Sequence, residues 1–161
     1  MKSLLIVGAG GYGVLAKEIA LMNGYEKVDF LDDRSLYAVG SIDSLTSLQE
    51  EYDGTIIAIG DCEFRQKLLE KVKRPVNLIH PDACISPSAV IGKACVIEAG
   101  AILNTHSIVG DSCFICAGAV INHDAEVRDF CQIDCNAVVE SSAKVAEKTK
   151  VASCSVYRRK A

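Results

Sequence analysis

The sequence predicts two domains of different build: an α/β domain over residues 1–80 and a left-handed parallel β-helix of about four coils over residues 81–161. Two observations carry this. An aliphatic residue recurs every six positions through the second half without a slip, and the first half opens on an apolar strand, a glycine-rich turn and a helical segment. Composition agrees, because 50% of residues are hydrophobic while only 6% are aromatic and Trp is absent. The interior must therefore be built from Ile, Val, Leu, Ala and Cys, which suits short repetitive strands.

Taken in order, Ser3 to Val7 reads as a strand, Gly8-Ala9-Gly10-Gly11-Tyr12-Gly13 as a turn, and Val14 to about Met22 as a helix. A second strand, Val28 to Leu31, ends in Asp32-Asp33. A third, Thr55 to Ile59, ends in Gly60-Asp61 before a helix carrying Arg65. Strands alternating with helices predict a parallel, Rossmann-like sheet. Pro75 and the segment Asn77-Leu78-Ile79-His80-Pro81 are expected to close that sheet with a last short strand and lead into the first coil, with His80 a linker residue.

Gly8, Gly10 and Gly13 match G-x-G-x-x-G, in which missing side chains let backbone N–H groups and a helix N-terminus approach a phosphate. Asp32 stands where a nicotinamide-dependent enzyme places its ribose-binding acid. Length argues against that reading, since about 80 residues hold only half of a dinucleotide fold. A nucleotide or nucleotide-sugar fits the space. The alternative is a glycine turn that only packs a helix onto a strand.

In the second half, Ile85, Ile91, Ile97, Leu103, Val109, Ile115, Ile121, Val127, Ile133, Val139, Val145 and Val151 fall in steps of six, and the residue four places after each is small, from Ala89 to Ser155. Hexapeptide periods mark parallel β-helices: each unit makes one flat face, three faces close a triangular coil, and the large side chain fills the interior beside a small one. A coil is then eighteen residues. Cys95, Cys113 and Cys131 occupy the small position one coil apart, which predicts a buried apolar column in preference to a metal site or disulfide.

His123 and Asp124 fall at a corner of a unit, where side chains face outward. An imidazole that titrates near neutrality can take a proton from a sugar amine or hydroxyl as it attacks a thioester, with the carboxylate holding the ring. Subtraction of one coil places Thr105 below His123, His106 below Asp124 and Asn104 below Asn122, and addition places Ser141 above His123. His106 reads as a solvated turn residue. A zinc hydratase on this scaffold needs three histidines, and only His106 and His123 lie in the repeats.

The glycine turn, Ile59-Gly60-Asp61 with Arg65, Leu78-Ile79-His80-Pro81, and Ala119-Val120-Ile121-Asn122-His123-Asp124 together resemble the sugar O-acyltransferase family of hexapeptide-repeat proteins, which includes sialic-acid O-acetyltransferases and UDP-4-amino-sugar N-acetyltransferases. The resemblance spans essentially the whole chain. It implies an acetyltransferase that moves an acetyl group from acetyl-coenzyme A to a nucleotide-sugar or sialic acid in bacterial surface-glycan biosynthesis, working as a homotrimer without metal. His123 would be the base and Asp124 its support. Gly8, Gly10, Gly11, Tyr12, Gly13, Asp32, Asp33, Gly60, Arg65 and Asn104 would contact the acceptor, and Gln132 and the backbone N–H near Ser141 would serve the donor side.

Two positions depart from that family's pattern: Tyr12 and Gln132 stand where histidines are usual. Relatives also continue into further coils and a Gly-x-Pro-Ala-Lys tail, whereas this chain stops at Ala161, so a shortened donor site is expected. A non-catalytic nucleotide-sugar binder that assists a partner enzyme is the alternative. The net charge of −4, with Arg158, Arg159 and Lys160 as a short basic cluster at the C-terminus, argues against nucleic acid. No apolar run is long enough for a membrane helix, and glycines break the N-terminal run before it can serve as a signal peptide. The expectation is a cytoplasmic protein.

Overall fold

The structure is a computed structural model and describes residues 1–159, so Lys160 of the basic cluster lies outside the described residues. The chain divides into two compact units, Met1–Leu78 and the remainder from Ile79 on.

The first unit is a parallel sheet of β1 (Ser3–Val7), β2 (Lys27–Leu31), β3 (Ala38–Gly40) and β4 (Gly54–Ile57) in the order β3-β2-β1-β4. Helix α1 (Gly11–Met22) joins β1 to β2, and α3 (Cys62–Leu69) follows β4. Strand β1 lies between two parallel partners, which is why Leu4, Leu5, Ile6 and Val7 can form an uninterrupted apolar run: each is wholly buried. The third expected strand is the fourth observed. Strand β3 and the short helix α2 (Leu45–Leu48) escape the sequence pattern because β3 has three residues, none of them fully buried, and meets β2 at an irregular register.

Strand order reverses between β1 and β4, and their carboxyl ends therefore flank the crevice where open α/β sheets bind ligands. Gly8 follows β1 and Gly60 follows β4 at that crevice. The turn after β1 is shorter than the sequence predicts, because α1 already begins at Gly11. Gly8 adopts φ +104°, and a Cβ on Gly13 would sit 2.1 Å from the Gly8 carbonyl oxygen, so both residues exist to fold α1 tightly back onto β1.

From Ile79 on, pairs of residues form short strands on three parallel faces. One face stacks Val90–Ile91, Ile108–Val109, Glu126–Val127 and Lys144–Val145; a second stacks Leu78–Ile79, Val96–Ile97, Phe114–Ile115, Gln132–Ile133 and Lys150–Val151; a third stacks Cys84–Ile85, Ile102–Leu103, Val120–Ile121, Val138–Val139 and Val156–Tyr157. Neighbours in each stack are eighteen residues apart, as in Val120↔Val138, giving a left-handed β-helix. The expectation that Pro75 and Asn77–Pro81 close the α/β sheet is met only at Pro75, which bridges Thr55 of β4 in parallel; Asn77–Pro81 adds no strand to that sheet. Leu78–Ile79 heads the second face, and Ile79 lies six residues before Ile85, in phase with the aliphatic series. The series also runs one step past Val151 to Tyr157, which packs on the same core.

The second residue of each strand points inward, and Ile97, Ile115, Ile121, Ile133, Val139 and Val145 are completely buried. The cysteine column is inside as expected: Cys95, Cys113 and Cys131 are wholly buried, and each thiol donates to a carbonyl, on Gly110 at 3.0 Å, Arg128 at 3.1 Å and Ala146 at 3.0 Å. Neighbouring thiols and burial push Cys113 far up, so it stays protonated and inert. From Ala94 on, corners are formed by a residue in the left-handed region once per unit, including His106 at φ +57°, Asp124 at +59° and Ser142 at +58°.

Replacing Ile121 by Ala should lower unfolding free energy by about 2–5 kcal/mol in urea titrations, since no neighbour on a fixed coil can close the cavity. Lys144→Ala, on the outside of a strand, should stay within about 0.5 kcal/mol of the parent.

Candidate active site

The candidate site of the second unit is the corner between the third and first faces, where the chain leaves Val120–Ile121 and turns toward Glu126–Val127. Asp124 closes this turn from the left-handed region, and its N–H donates to the Thr105 carbonyl one coil below at 3.0 Å. The Ser142 N–H in turn reaches the His123 carbonyl at 3.1 Å, so the corner is stitched to both adjacent coils. His123 is thus carried outward on a backbone fixed from above and below, with its side chain 58% exposed.

His123 Nδ1 lies 2.9 Å from Asp124 Oδ2. With Nδ1 carrying the proton toward the carboxylate, Nε2 is left as a free base directed at solvent. The bond from His123 holds the Asp124 carboxyl below the usual carboxylate range, with smaller contributions in the same direction from the charges of His123 and His106. Asn122 Oδ1 accepts from the His123 N–H at 2.8 Å and from Asn104 Nδ2 at 3.3 Å. Asn104 therefore sits beside the dyad, with part of its amide already spent on positioning Asn122. Ser141 occupies the turn directly above His123, as coil arithmetic requires.

Other expected residues are placed elsewhere. Gln132 belongs to the second face, opposite this corner in the same chain, and its amide donates to Asp134 Oδ1 at 2.6 Å. Asp134 is paired also with Lys150 at 3.3 Å. His106 is more than a turn residue, since its Nδ1 lies 3.4 Å from Asp124 Oδ1. Its proximity follows from the eighteen-residue step, but no motif in the sequence marks it.

In the first unit, Gly10, Gly11 and Gly60 are exposed, and a Cβ on any of them would meet no atom within 4 Å, so the backbone at these three points is open to a ligand. Tyr12 and Gly13 lie in the first turn of α1. Asp32 does not stand free for a ribose. Its Oδ2 accepts the Ala9 N–H at 2.9 Å, and its Oδ1 accepts the N–H groups of Arg34 and Ser35 at 2.8 and 2.9 Å. The Ala9 bond first, then that of Arg34, keeps this carboxyl below its ordinary range. Asp33 is exposed and accepts the Ile42 N–H at 2.9 Å.

Arg65 corrects the sequence reading most clearly. It is completely buried, and its guanidinium donates to the carbonyls of Ile59 at 2.9 Å and Gly60 at 3.1 Å. Its charge and fork are used to hold the turn after β4, and Asp61 caps α3 beside it through the Phe64 N–H at 2.9 Å. A cavity of about 400 Å³ adjoins the glycine turn, lined by residues that include Ala9, Lys17, Asp29, Phe30, Ser35 and Tyr37. Lys17 Nζ lies 5.3 Å from the Phe30 ring centroid. An ammonium beside an aromatic ring suits a base or a phosphate, and Lys17, Phe30 and Tyr37 carry no signature by which sequence alone could find them.

The model of the PglD N-terminal domain matches residues 3–72, and that of the bacterial transferase hexapeptide, six repeats, matches residues 88–123. The chain is similar to PglD-like proteins in its first unit and to hexapeptide-repeat transferases in its second. It is 31% identical over 113 residues to UDP-N-acetylbacillosamine N-acetyltransferase of Bacillus subtilis strain 168, a match that covers 62% of this chain and 52% of the relative. The chain thus spans about half the length of that curated relative. The acetyltransferase domain of PglB from Neisseria gonorrhoeae FA1090, solved with acetyl coenzyme A, is similar over 98% of this chain and 82% of its own, at 29% identity and a TM-score of 0.92. A mutant of perosamine N-acetyltransferase from Caulobacter crescentus, solved with CoA and GDP-perosamine, is similar over 97% of this chain and 85% of its own, at 26% identity and a TM-score of 0.74.

Arg65→Met should cost about 1–3 kcal/mol, because the turn after β4 loses the buried guanidinium that donates to two of its carbonyls. Urea unfolding checks it. An unchanged midpoint combined with lost nucleotide binding would restore Arg65 as a ligand contact.

Proposed function

We propose that the chain transfers an acetyl group from acetyl-coenzyme A to the amino group of a nucleotide-linked sugar, in the assembly of a bacterial surface glycan. The observation that carries this reading is the His123–Asp124 pair, 2.9 Å apart and exposed at a β-helix corner, in a fold that matches an acetyl-coenzyme A complex at a TM-score of 0.92. The named relatives are N-acetyltransferases, and one was solved with a nucleotide-linked amino sugar, which favours N-transfer to such an acceptor over O-transfer to sialic acid.

Chemically, His123 Nε2 accepts a proton from the sugar amine as the nitrogen attacks the thioester carbonyl carbon. The C–N bond forms, the tetrahedral oxyanion is met by the backbone N–H near Ser141, and its collapse breaks the C–S bond. The departing thiolate recovers the proton from the imidazolium, leaving amide, free coenzyme A and neutral His123. Asp124 keeps Nδ1 protonated and stabilises the charged ring while it lasts. Asn104, through Asn122, supports the same corner.

The nucleotide portion of the acceptor is assigned to the first unit. Support comes from the open backbone at Gly10, Gly11 and Gly60, the N-terminus of α1 at Gly11, and the cavity beside Lys17, Phe30 and Tyr37. Asp33 at the rim is available to a ribose or base donor. Assembly as a homotrimer is supported by the outer residues of the third face, Cys84, Ile102, Val120, Val138 and Val156, an apolar column that a second copy would cover. A cytoplasmic site of action is supported by eight free thiols, and no helix among the described residues is long and apolar enough to cross a membrane.

Incubation with acetyl-coenzyme A and a panel of UDP- and GDP-linked amino sugars, with sialic acid as a further arm, should release thiol with an amino sugar. His123→Ala should slow it by about 10²–10⁴-fold. Equal rates in the two proteins would remove His123 from the chemistry, and nucleotide binding without thiol release from any acceptor would leave a binding protein. Sedimentation at micromolar concentration should give a trimer, and a monomer there would refute the assembly.

A further inference from the structure

Asp124 faces two imidazoles. Its Oδ2 lies 2.9 Å from His123 Nδ1 and its Oδ1 lies 3.4 Å from His106 Nδ1. The second contact is built by the coil, since His106 and Asp124 are eighteen residues apart, occupy equivalent corners and share the left-handed backbone conformation. His106 is itself fixed from below, its N–H donating to Ser88 Oγ at 3.1 Å. Two stacked turns thus present one carboxylate to two histidines, each on its own oxygen.

From this geometry we propose that His106 is a positioning residue that shares Asp124 with His123 and so keeps the His123 ring neutral to lower pH than Asp124 alone would allow. The proposal rests on the reading of His123 as the base. Its logic is electrostatic. One carboxylate stabilises one imidazolium well, and a second proton at the same corner meets the first as a like charge. A carboxylate that also faces the His106 ring offers less to His123. Both effects act in one direction, against protonation of His123, and a base is useful only while unprotonated.

Other groups at the corner do not supply the effect. Ser88 lies below in the same column and Ser142 above, while Thr105 and Ser141 flank His123 in its own column, and all four are hydroxyls. Asn104 and Asn122 are uncharged. Glu126, at the start of the next strand, is engaged by Arg128 at 3.2 Å and Lys144 at 3.4 Å, and Glu140, one coil above Asn122, is engaged by Arg158 at 3.8 Å and by the Arg159 N–H at 2.8 Å. The side chains of His106, His123 and Asp124 are 68%, 58% and 53% exposed, so water and salt screen the coupling and its size is modest.

The chain has three histidines, and the third, His80, serves as an internal control. Ring C–H resonances should be followed from pH 5 to 9 by NMR in the full chain, in His106→Asn and in His123→Asn. Asn is chosen for position 106 because it tolerates a positive φ. In His106→Asn the His123 midpoint should rise by about half a pH unit, roughly threefold in proton affinity, with His80 unmoved. Because coupling is reciprocal, His123→Asn should raise the His106 midpoint by the same amount. The acid limb of kcat/KM for acetyl transfer should move up with the His123 midpoint in His106→Asn.

A merely structural role for His106 would lower activity at every pH and leave both midpoints in place. Midpoints that stay within about 0.1 unit, or that fall, overturn the proposal. Reciprocal shifts in a protein that transfers no acetyl group would uphold the shared carboxylate while refuting the acetyltransferase reading.

Discussion

Each six-residue unit of the second half must send one aliphatic side chain inward, and everything at the candidate site descends from that. Because the inward residue recurs without a slip from Ile79 to Tyr157, every coil has the same eighteen residues and every corner sits directly over the one before. A single inserted or deleted residue would rotate all later side chains to the wrong face. The core therefore fixes register, and register fixes which outward residues meet. Burial of Ile115, Ile121 and Ile133 contributes stability, but its consequence for chemistry is positional.

The corners are where that order becomes useful. Left-handed backbone at Asp124 and His106 costs energy in residues with a Cβ, and it persists because turn N–H groups are tied to the coil below. In exchange, short polar side chains are held on a rigid frame while remaining in water. Asp124 can then touch the ring of its own neighbour and a ring from another coil, an arrangement that a mobile loop would not maintain. The first unit uses a different device for the same purpose: Gly13 pressed on Gly8, Asp32 accepting from Ala9, and Arg65 gripping Ile59 and Gly60 together freeze the loops at the crevice.

The β-helix was legible almost in full because its signal is periodic and each residue in it has one dominant reason to be there. Its two ends were not, since Ile79 precedes a His-Pro segment that reads as a linker and Tyr157 is aromatic where the series is aliphatic. In the α/β unit, the glycine pattern located the crevice but misassigned its parts. Gly13 packs against Gly8, and Asp32 and Arg65, charged residues beside the turns after β1 and β4, bond to backbone. Charge near a glycine turn has two uses, and spacing does not separate them. The His123–Asp124 contact was legible because adjacent residues in a turn need no fold to meet. His106 became legible only with coordinates, because its meaning depends on a neighbour one coil away. Lys17 on α1, Phe30 on β2 and Tyr37 in the loop before β3 come together only on folding, which no local pattern encodes.

The most direct measurement is a crystal structure of the protein with coenzyme A and a nucleotide-linked amino sugar. The account predicts the acceptor nitrogen within about 3.2 Å of His123 Nε2, with the sulfur of coenzyme A beside the same corner and Asp124 still bonded to Nδ1. An acceptor amine bound away from that corner, or an imidazole turned from it, would contradict the account.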